Sequence, residues 1–313
     1  MGRRRRNDSG ATGVLVVDKP AGMTSHDVVA VVRRAAGTRR VGHTGTLDPD
    51  ATGVLVCCLG NATRLVQYLQ DSPKTYQATM VLGLATTTQD AAGEPTFEAD
   101  ASHIDESALC SVLGRFHGDI QQIPPMVSAL KVDGERLHEK ARRGEVVERE
   151  PRDVTVHDLV LEEFRGGERA YASFLVTVSP GTYVRTLAHD IGEALEVGGS
   201  LTSLRRLANA GFTSDTAIPL DEVEATGQDG GIEDLLLSPR EALRAYPTVE
   251  VDREAVEKLV HGGWLPEQGV SGIYAVVHED HLVGVYRDED GNGRPQAVLL
   301  KPEELAASAG AGE

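Results

Sequence analysis

Gly42-His43-Thr44-Gly45-Thr46-Leu47-Asp48-Pro49-Asp50-Ala51-Thr52-Gly53 holds three glycines, a histidine and two acids in twelve residues. Pro49 lacks an N–H and steers Asp48 away from the helical region, so the Asp48 carboxylate sits on an extended or turn backbone. Glycines tolerate positive φ and let another backbone or a ligand come close. Such a loop can present one carboxylate to a substrate. Taken alone, Asp-Pro equally reads as the start of a surface turn. The loop lies between a short apolar run, Val14–Val17, and a longer one, Val54–Leu59, both read as strands.

Outward from this loop the pattern mixes the two periodicities. Ser25 is read as the N-cap of a helix whose face carries Val28, Val29, Val31 and Val32. Asn61 is read as the cap of a short helix running to Tyr68. Tyr76, Ala78, Met80 and Leu82 alternate along a strand spanning Lys74–Leu84, and a polar loop follows over 85–100. An amphipathic helix covers Asp105–Phe116, and Pro124-Pro125 breaks a strand over Ile120–Lys131. Residues 132–152 are dense in charge, with a short helix expected over Arg136–Arg143. Val154–Phe164 and Tyr171–Ser179 form a strand pair, and Tyr183–Leu195 a helix. The acidic stretch 221–240 is read as a linker to a small β-rich module beginning near Thr248. The class is α+β.

Composition narrows the function. The 313 residues carry a net charge of -17, which repels phosphates at long range and argues against a generic nucleic-acid binder. The charge is uneven: residues 1–40 hold nine Arg/Lys against three Asp/Glu, and residues 248–313 five against thirteen. A local basic face built from Arg33-Arg34, Arg39-Arg40, Arg142-Arg143 and Arg205-Arg206 is compatible with that total. Three cysteines, two adjacent, make no disulfide framework and suit a reducing, cytoplasmic setting. No apolar run reaches the roughly 18 residues of a membrane helix.

Four blocks in this order resemble the TruB family of bacterial tRNA pseudouridine-55 synthases. They are Asp18-Lys19-Pro20-Ala21-Gly22-Met23-Thr24-Ser25; the Gly42–Gly53 loop running to Arg64; Lys74-Thr75-Tyr76 with Leu82-Gly83 and Thr86-Thr87-Thr88; and Gly181-Thr182-Tyr183-Val184-Arg185-Thr186-Leu187 with Leu201-Thr202-Ser203-Leu204-Arg205-Arg206. Gln122–Met126 and Ser128–Lys131 resemble the family's thumb-like insertion, with Val127 and His138 where tyrosine is expected. The resemblance implies a pseudouridine synthase fold: a central mixed or antiparallel sheet flanked by helices, the inserted loop, and a small C-terminal β-rich PUA-like domain. The expected division is a disordered basic tail over 1–12, a catalytic domain over 13–245 with the insertion at about 124–152, and the RNA-binding module over 246–313.

The implied reaction cleaves the N1–C1′ bond of uridine 55 in the T loop of tRNA, turns the base and rejoins it through C5. It involves no redox step or group donor, so neither cofactor nor metal is expected. The resemblance makes Asp48 the nucleophile and Arg185 the cation that keeps it charged and aimed; which carbon Asp48 attacks stays open. The base must be flipped from its stack. Tyr76, a strand-borne aromatic, is placed to stack on it and to take the C5 proton. By resemblance Tyr183 and Leu204 line the base pocket, and His43 packs near the vacated stack. Lys19 and Lys74 are expected at phosphates. The partner is the T-arm stem-loop, with no membrane, no obligatory protein partner and a monomeric chain. Asp50 is read as a cap for the following segment. Three rivals remain: a non-catalytic RNA chaperone, a synthase acting on a different RNA, and a glycoside-cleaving hydrolase needing a second carboxylate across the bond.

Overall fold

A computed structural model describes residues 11–128, 130–132, 134–137, 140, 143–145 and 147–309. A ten-stranded mixed sheet forms its centre. Its main path runs Ile218–Pro219, Gly13–Lys19, Thr52–Leu59, Gly199–Asn209, Lys74–Leu82, Ala170–Val178, Arg152–Arg165 and Gly118–Gln122. Val41–His43 adds to Thr52–Leu59, and Phe212–Thr213 to Gly199–Asn209. Most pairs are antiparallel. Gly199–Asn209 runs parallel to Thr52–Leu59 through Arg205↔Thr52 and Arg206↔Gly53, and this junction places the Asp48 loop.

Helices cover the sheet where the sequence is apolar. Glu106–Leu113 and Val184–Ala194 pack Leu109, Val112, Leu187 and Ile191 against Tyr76, Met80, Phe174 and Val176. Ser25–Ala35 packs Val28 and Val32 against Leu15, Leu55 and Cys57. A five-stranded second sheet, Thr248–Glu250, Ile273–His278, His281–Glu289, Asn292–Val298 and Leu265–Pro266 in spatial order, shares a core with the first. There Ala275, Val277 and Val285 join Val14, Val56 and Leu65. Among the described residues no helix is long and apolar enough to cross a membrane.

Several local expectations are corrected. Thr24, not Ser25, caps the first helix: its side chain and that of Asp27 form a reciprocal capping box. Asn61 caps nothing. It lies in a 3₁₀ turn, Gly60–Leu65, and its Oδ1 accepts from Arg40. The polar stretch 85–100 contains a ribbon of Leu84–Thr86 and Pro95–Glu98. Residues 221–240 are no linker. Leu220–Gln228 is a helix with Leu220 and Val223 buried, and Leu237 bridges to Val14. Glu135–Arg136 pairs with Lys131–Val132, while much of the expected 136–143 helix, His138 included, lies outside the described residues.

Candidate active site

The Asp48 loop leaves and re-enters the sheet through neighbouring strands, Val41–His43 and Thr52–Leu59. Three clamps hold it. The fully buried Lys19 ammonium donates to the carbonyls of Pro20 (2.8 Å), Pro49 (2.9 Å) and Ala51 (2.7 Å). Ser25, released from capping, accepts from the Leu47 N–H (2.9 Å) and donates to the Leu47 carbonyl (3.2 Å). The fully buried Arg206 donates from Nε to the Val54 carbonyl (2.7 Å) and from Nη2 to the Gly45 carbonyl (3.1 Å). Gly53 has φ +102°, and a Cβ there would lie 2.2 Å from the Arg206 carbonyl. Only glycine allows the parallel pairing at that point.

The loop delivers Asp48 to a buried cation. Arg185, near the start of the Val184–Ala194 helix, places Nε 3.0 Å from Asp48 Oδ2 and Nη2 3.4 Å from Oδ1. The Arg185 side chain is 6% exposed and that of Asp48 43%, so the carboxylate opens to the cleft while its partner is locked behind it. Arg185 is also held by the carbonyls of Thr88 (3.0 Å) and Val127 (2.9 Å) and by Asp90 Oδ2 (3.2 Å). Asp90 in turn accepts from the Thr88 hydroxyl (2.5 Å) and the Ala92 N–H (3.1 Å). Burial raises the Asp48 carboxyl above its ordinary value; Arg185 opposes that rise and Asp90 adds to it.

Two cavities of about 260 Å³ each meet at Asp48, Arg185 and Leu204. One continues past Asp50, Asp90 and Val127. The other is floored by Tyr76, Tyr183, Lys74 and Gly45. Five expected site residues therefore converge on one cleft with Lys74: Asp48, Tyr76, Arg185, Tyr183 and Leu204. Tyr76 is 7% exposed. Gln122 fixes the Tyr183 backbone by accepting from its N–H (3.0 Å). His43 stands at the base of the loop, edge-on to His26 with ring centroids 5.6 Å apart. Its Nδ1 accepts from the Gly45 N–H, so Nε2 carries the proton of the neutral ring. Burial, with His26 and Arg206, lowers its pKa and favours that neutral form.

Lys19 departs from expectation. Lys19 is enclosed and committed to three carbonyls, so it builds the loop and does not face a phosphate. Lys74 reaches the cleft, but its ammonium donates to Gln70 (2.8 Å) and Ser72 (2.9 Å). Burial pulls each lysine down to about 8. Arg205-Arg206 is not a basic face: Arg205 binds Asp18 through two nitrogens and Arg206 is interior. Asp50 is exposed and lines the cleft instead of capping a segment. Asp90 carried no expected role, and Arg206 none beyond that basic face. Asp90 follows Thr86-Thr87-Thr88 in a stretch read as loop, and only the positive φ of Gln89 (64°) with the Asp90↔Leu201 bridge turns it inward.

Fold and cleft together present a carboxylate paired to a buried arginine beside a space lined by aromatic side chains. Three family models cover most of the chain: the TruB family pseudouridylate synthase N-terminal domain over residues 33–184, the tRNA pseudouridylate synthase B C-terminal domain over 185–244, and the tRNA pseudouridine synthase II C-terminal domain over 246–300. The protein named tRNA pseudouridine synthase B of Symbiobacterium thermophilum is 51% identical over 80% of this chain and 82% of its own length. That of Corynebacterium efficiens is 47% identical over 94% and 98%. A chain in the crystal structure of a Cbf5–Nop10–Gar1 complex superposes with a TM-score of 0.72 at 27% identity, covering 94% of this chain and 87% of its own. A chain of the archaeal box H/ACA sRNP Nop10–Cbf5 complex gives 0.70 at 25%, covering 94% and 88%. This chain belongs to the TruB family of pseudouridylate synthases. The expected α+β pseudouridine synthase fold, with its small C-terminal β module, is the fold found.

Proposed function

We propose that this synthase acts on tRNA and converts uridine 55 of the T loop to pseudouridine, with Asp48 as the nucleophile. The observation that carries the reading is the Asp48–Arg185 pair, 3.0 Å apart, at the junction of two cavities beside Tyr76. Relatives named tRNA pseudouridine synthase B, matched over nearly their whole length, support tRNA as the substrate.

The reaction is an isomerisation. The N1–C1′ bond breaks, a C5–C1′ bond forms, and the C5 hydrogen is replaced by one on N1. No electron acceptor or donor is consumed, so the chemistry calls for no cofactor. An ionised Asp48 adds to one fragment and holds it while the other turns. Arg185 keeps the carboxylate charged in a site that otherwise favours the neutral acid. The uracil flips into the lobe lined by Tyr76, Tyr183 and Leu204 and stacks on Tyr76. The Tyr76 oxygen then takes the C5 proton while its own phenolic proton passes to solvent, and N1 picks up a proton from solvent, so the hydrogen count is unchanged. Neutral His43, at the loop base, packs into the gap the base leaves. Lys74 borders the same lobe, and its third ammonium proton is directed to the RNA backbone. The T-arm is recognised by shape, with the flipped base read in the pocket.

The test is an unmodified tRNA transcript incubated with the enzyme and with Asp48→Asn, pseudouridine being mapped by base-specific chemical labelling. One new pseudouridine at position 55 is expected, lowered by about 10⁴-fold or more in the variant with T-arm binding retained. Modification of another RNA only would replace the substrate, and RNA binding without product would favour a chaperone. An active Asp48→Asn would remove the nucleophile assignment.

A further inference from the structure

We infer that Arg206 is a positioning residue for the reaction: its interior guanidinium sets where Asp48 stands. The inference rests on Asp48 being the reacting carboxylate. Arg206 is among the largest fully buried side chains, and among the described residues no carboxylate pairs with it. A buried charge without a counter-ion is costly unless hydrogen bonds satisfy it. Here backbone carbonyls supply them. Nη2 holds Gly45, three residues before Asp48, and Nε holds Val54, six residues after it. The loop is pinned on both sides of its carboxylate by one rigid planar group.

The strand is shaped to send Arg206 inward. Arg205 pairs with Gln77 and Arg206 with Tyr76, but the register then slips, so Ala208 meets Thr75. An extra residue inserted there restores the inward face three positions on. Asn209 thus joins Arg206 on the buried side and donates from Nδ2 to the Thr44 hydroxyl at 2.9 Å. Two side chains of one strand therefore grip Thr44 and Gly45. The same strand carries Leu204 at the meeting point of the cavities, and Arg206 pairs in register with Tyr76. One bulged strand thereby ties the spacing between nucleophile, stacking ring and pocket wall to a single guanidinium.

This predicts a split between turnover and binding. Arg206→Lys keeps a cation but offers one nitrogen in place of a rigid fork, and Arg206→Met keeps the volume without donors. In Arg206→Lys, kcat on the tRNA transcript should fall about 10²-fold, the size of effect that a small misplacement of a reacting group produces. KM should stay within about twofold, since Arg206 borders the Tyr76 cavity but is fully buried, with its Nε and Nη2 committed to loop carbonyls. The acid limb of the single-turnover rate should also move to higher pH, because an Asp48 no longer held to Arg185 is harder to ionise. Arg206→Met should share this pattern and lose more. Wild-type kcat in a folded Arg206→Lys, a rise in KM alone, or an unmoved acid limb would overturn the inference. So would loss of near-UV circular dichroism in both variants, which would place Arg206 in the core alone. Asp48→Asn assayed alongside separates the two ideas: an active Asp48→Asn defeats the nucleophile, whereas a dead Asp48→Asn beside a fully active Arg206→Lys defeats only this one.

Discussion

The two walls of the cleft treat buried cations in opposite ways. On the loop wall, Lys19 and Arg206 are held by neutral backbone carbonyls. On the facing wall, Arg185 sits between two carboxylates, Asp48 and Asp90. A cation bound by carbonyls fixes geometry and leaves its charge uncancelled. A cation between two carboxylates fixes a charge state. Placing both kinds within one cleft separates the holding of Asp48 from the ionising of Asp48. The loop wall can therefore be damaged in stability and aim, and the facing wall in pH response.

The largest effect on that contrast should come from Arg185→Lys. The substitution keeps the charge but loses the fork that spans Asp48, Asp90 and the carbonyls of Thr88 and Val127. A fall in single-turnover rate of about 10²-fold is expected. Asp48 already sits above its ordinary value through burial, with Arg185 as the opposing influence. Weaker pairing raises it further, so the acid limb moves to higher pH. A rate loss without that movement would reduce Arg185 to a scaffold. Asp90→Asn should shift the limb the other way. Asp90 raises the Asp48 carboxyl as a like charge, so its neutralisation lowers the carboxyl and carries activity to more acidic pH. Arg185 then loses one anchor, and the rate at neutral pH should drop by about tenfold, near 1.4 kcal/mol. Limbs moving in the same direction for both variants would contradict the division between the walls.

How far this was legible from the chain depended on what each residue's neighbours in sequence reveal. Asp48, Tyr76 and Arg185 stand in dense blocks with glycine and proline beside them, and backbone chemistry with the family resemblance marked them. Lys19 and Arg206 stand in equally marked blocks, yet their role was misread or missed. Sequence shows a charged head and a long stem; it does not show that the stem is threaded into the core to meet carbonyls 30 and 152 residues away. Thr24 and Ser25 were exchanged because either hydroxyl can cap, and only the packed loop decides that Ser25 faces Leu47. The segment 221–240 looked like a linker by its acids. Val223 and Ile232 within it, with Leu220 just before and Leu235 and Leu236 partly buried, pack it against the first helix. Asp90 depended on a positive φ at Gln89 and a bridge to Leu201, both set by tertiary contacts.

The smallest effect on turnover should come from Lys19→Met, and it is the one that isolates stability. Lys19 grips Pro49 and Ala51, but Ser25 at Leu47, the Gly22 N–H at the Pro49 carbonyl (2.9 Å) and Arg206 at Gly45 remain. Turnover should fall by only about threefold, near 0.7 kcal/mol. Folding should suffer more, since buried carbonyls left without a donor cost about 1–3 kcal/mol. The pH dependence of that loss has a definite sign. Burial brings the folded-state lysine down to about 8 from its ordinary 10.5, so the unfolded chain binds more protons between those values. Wild-type stability therefore gains from this group as pH rises from 8 towards 10.5. The variant lacks the titration, and its deficit should widen across that window in urea unfolding measured at stepped pH. A deficit that narrows instead would mean that the three carbonyls hold the ammonium more strongly than burial repels it. Lys19 would then behave as a charge that stabilises the loop, closer in kind to Arg185 than to a geometric pin.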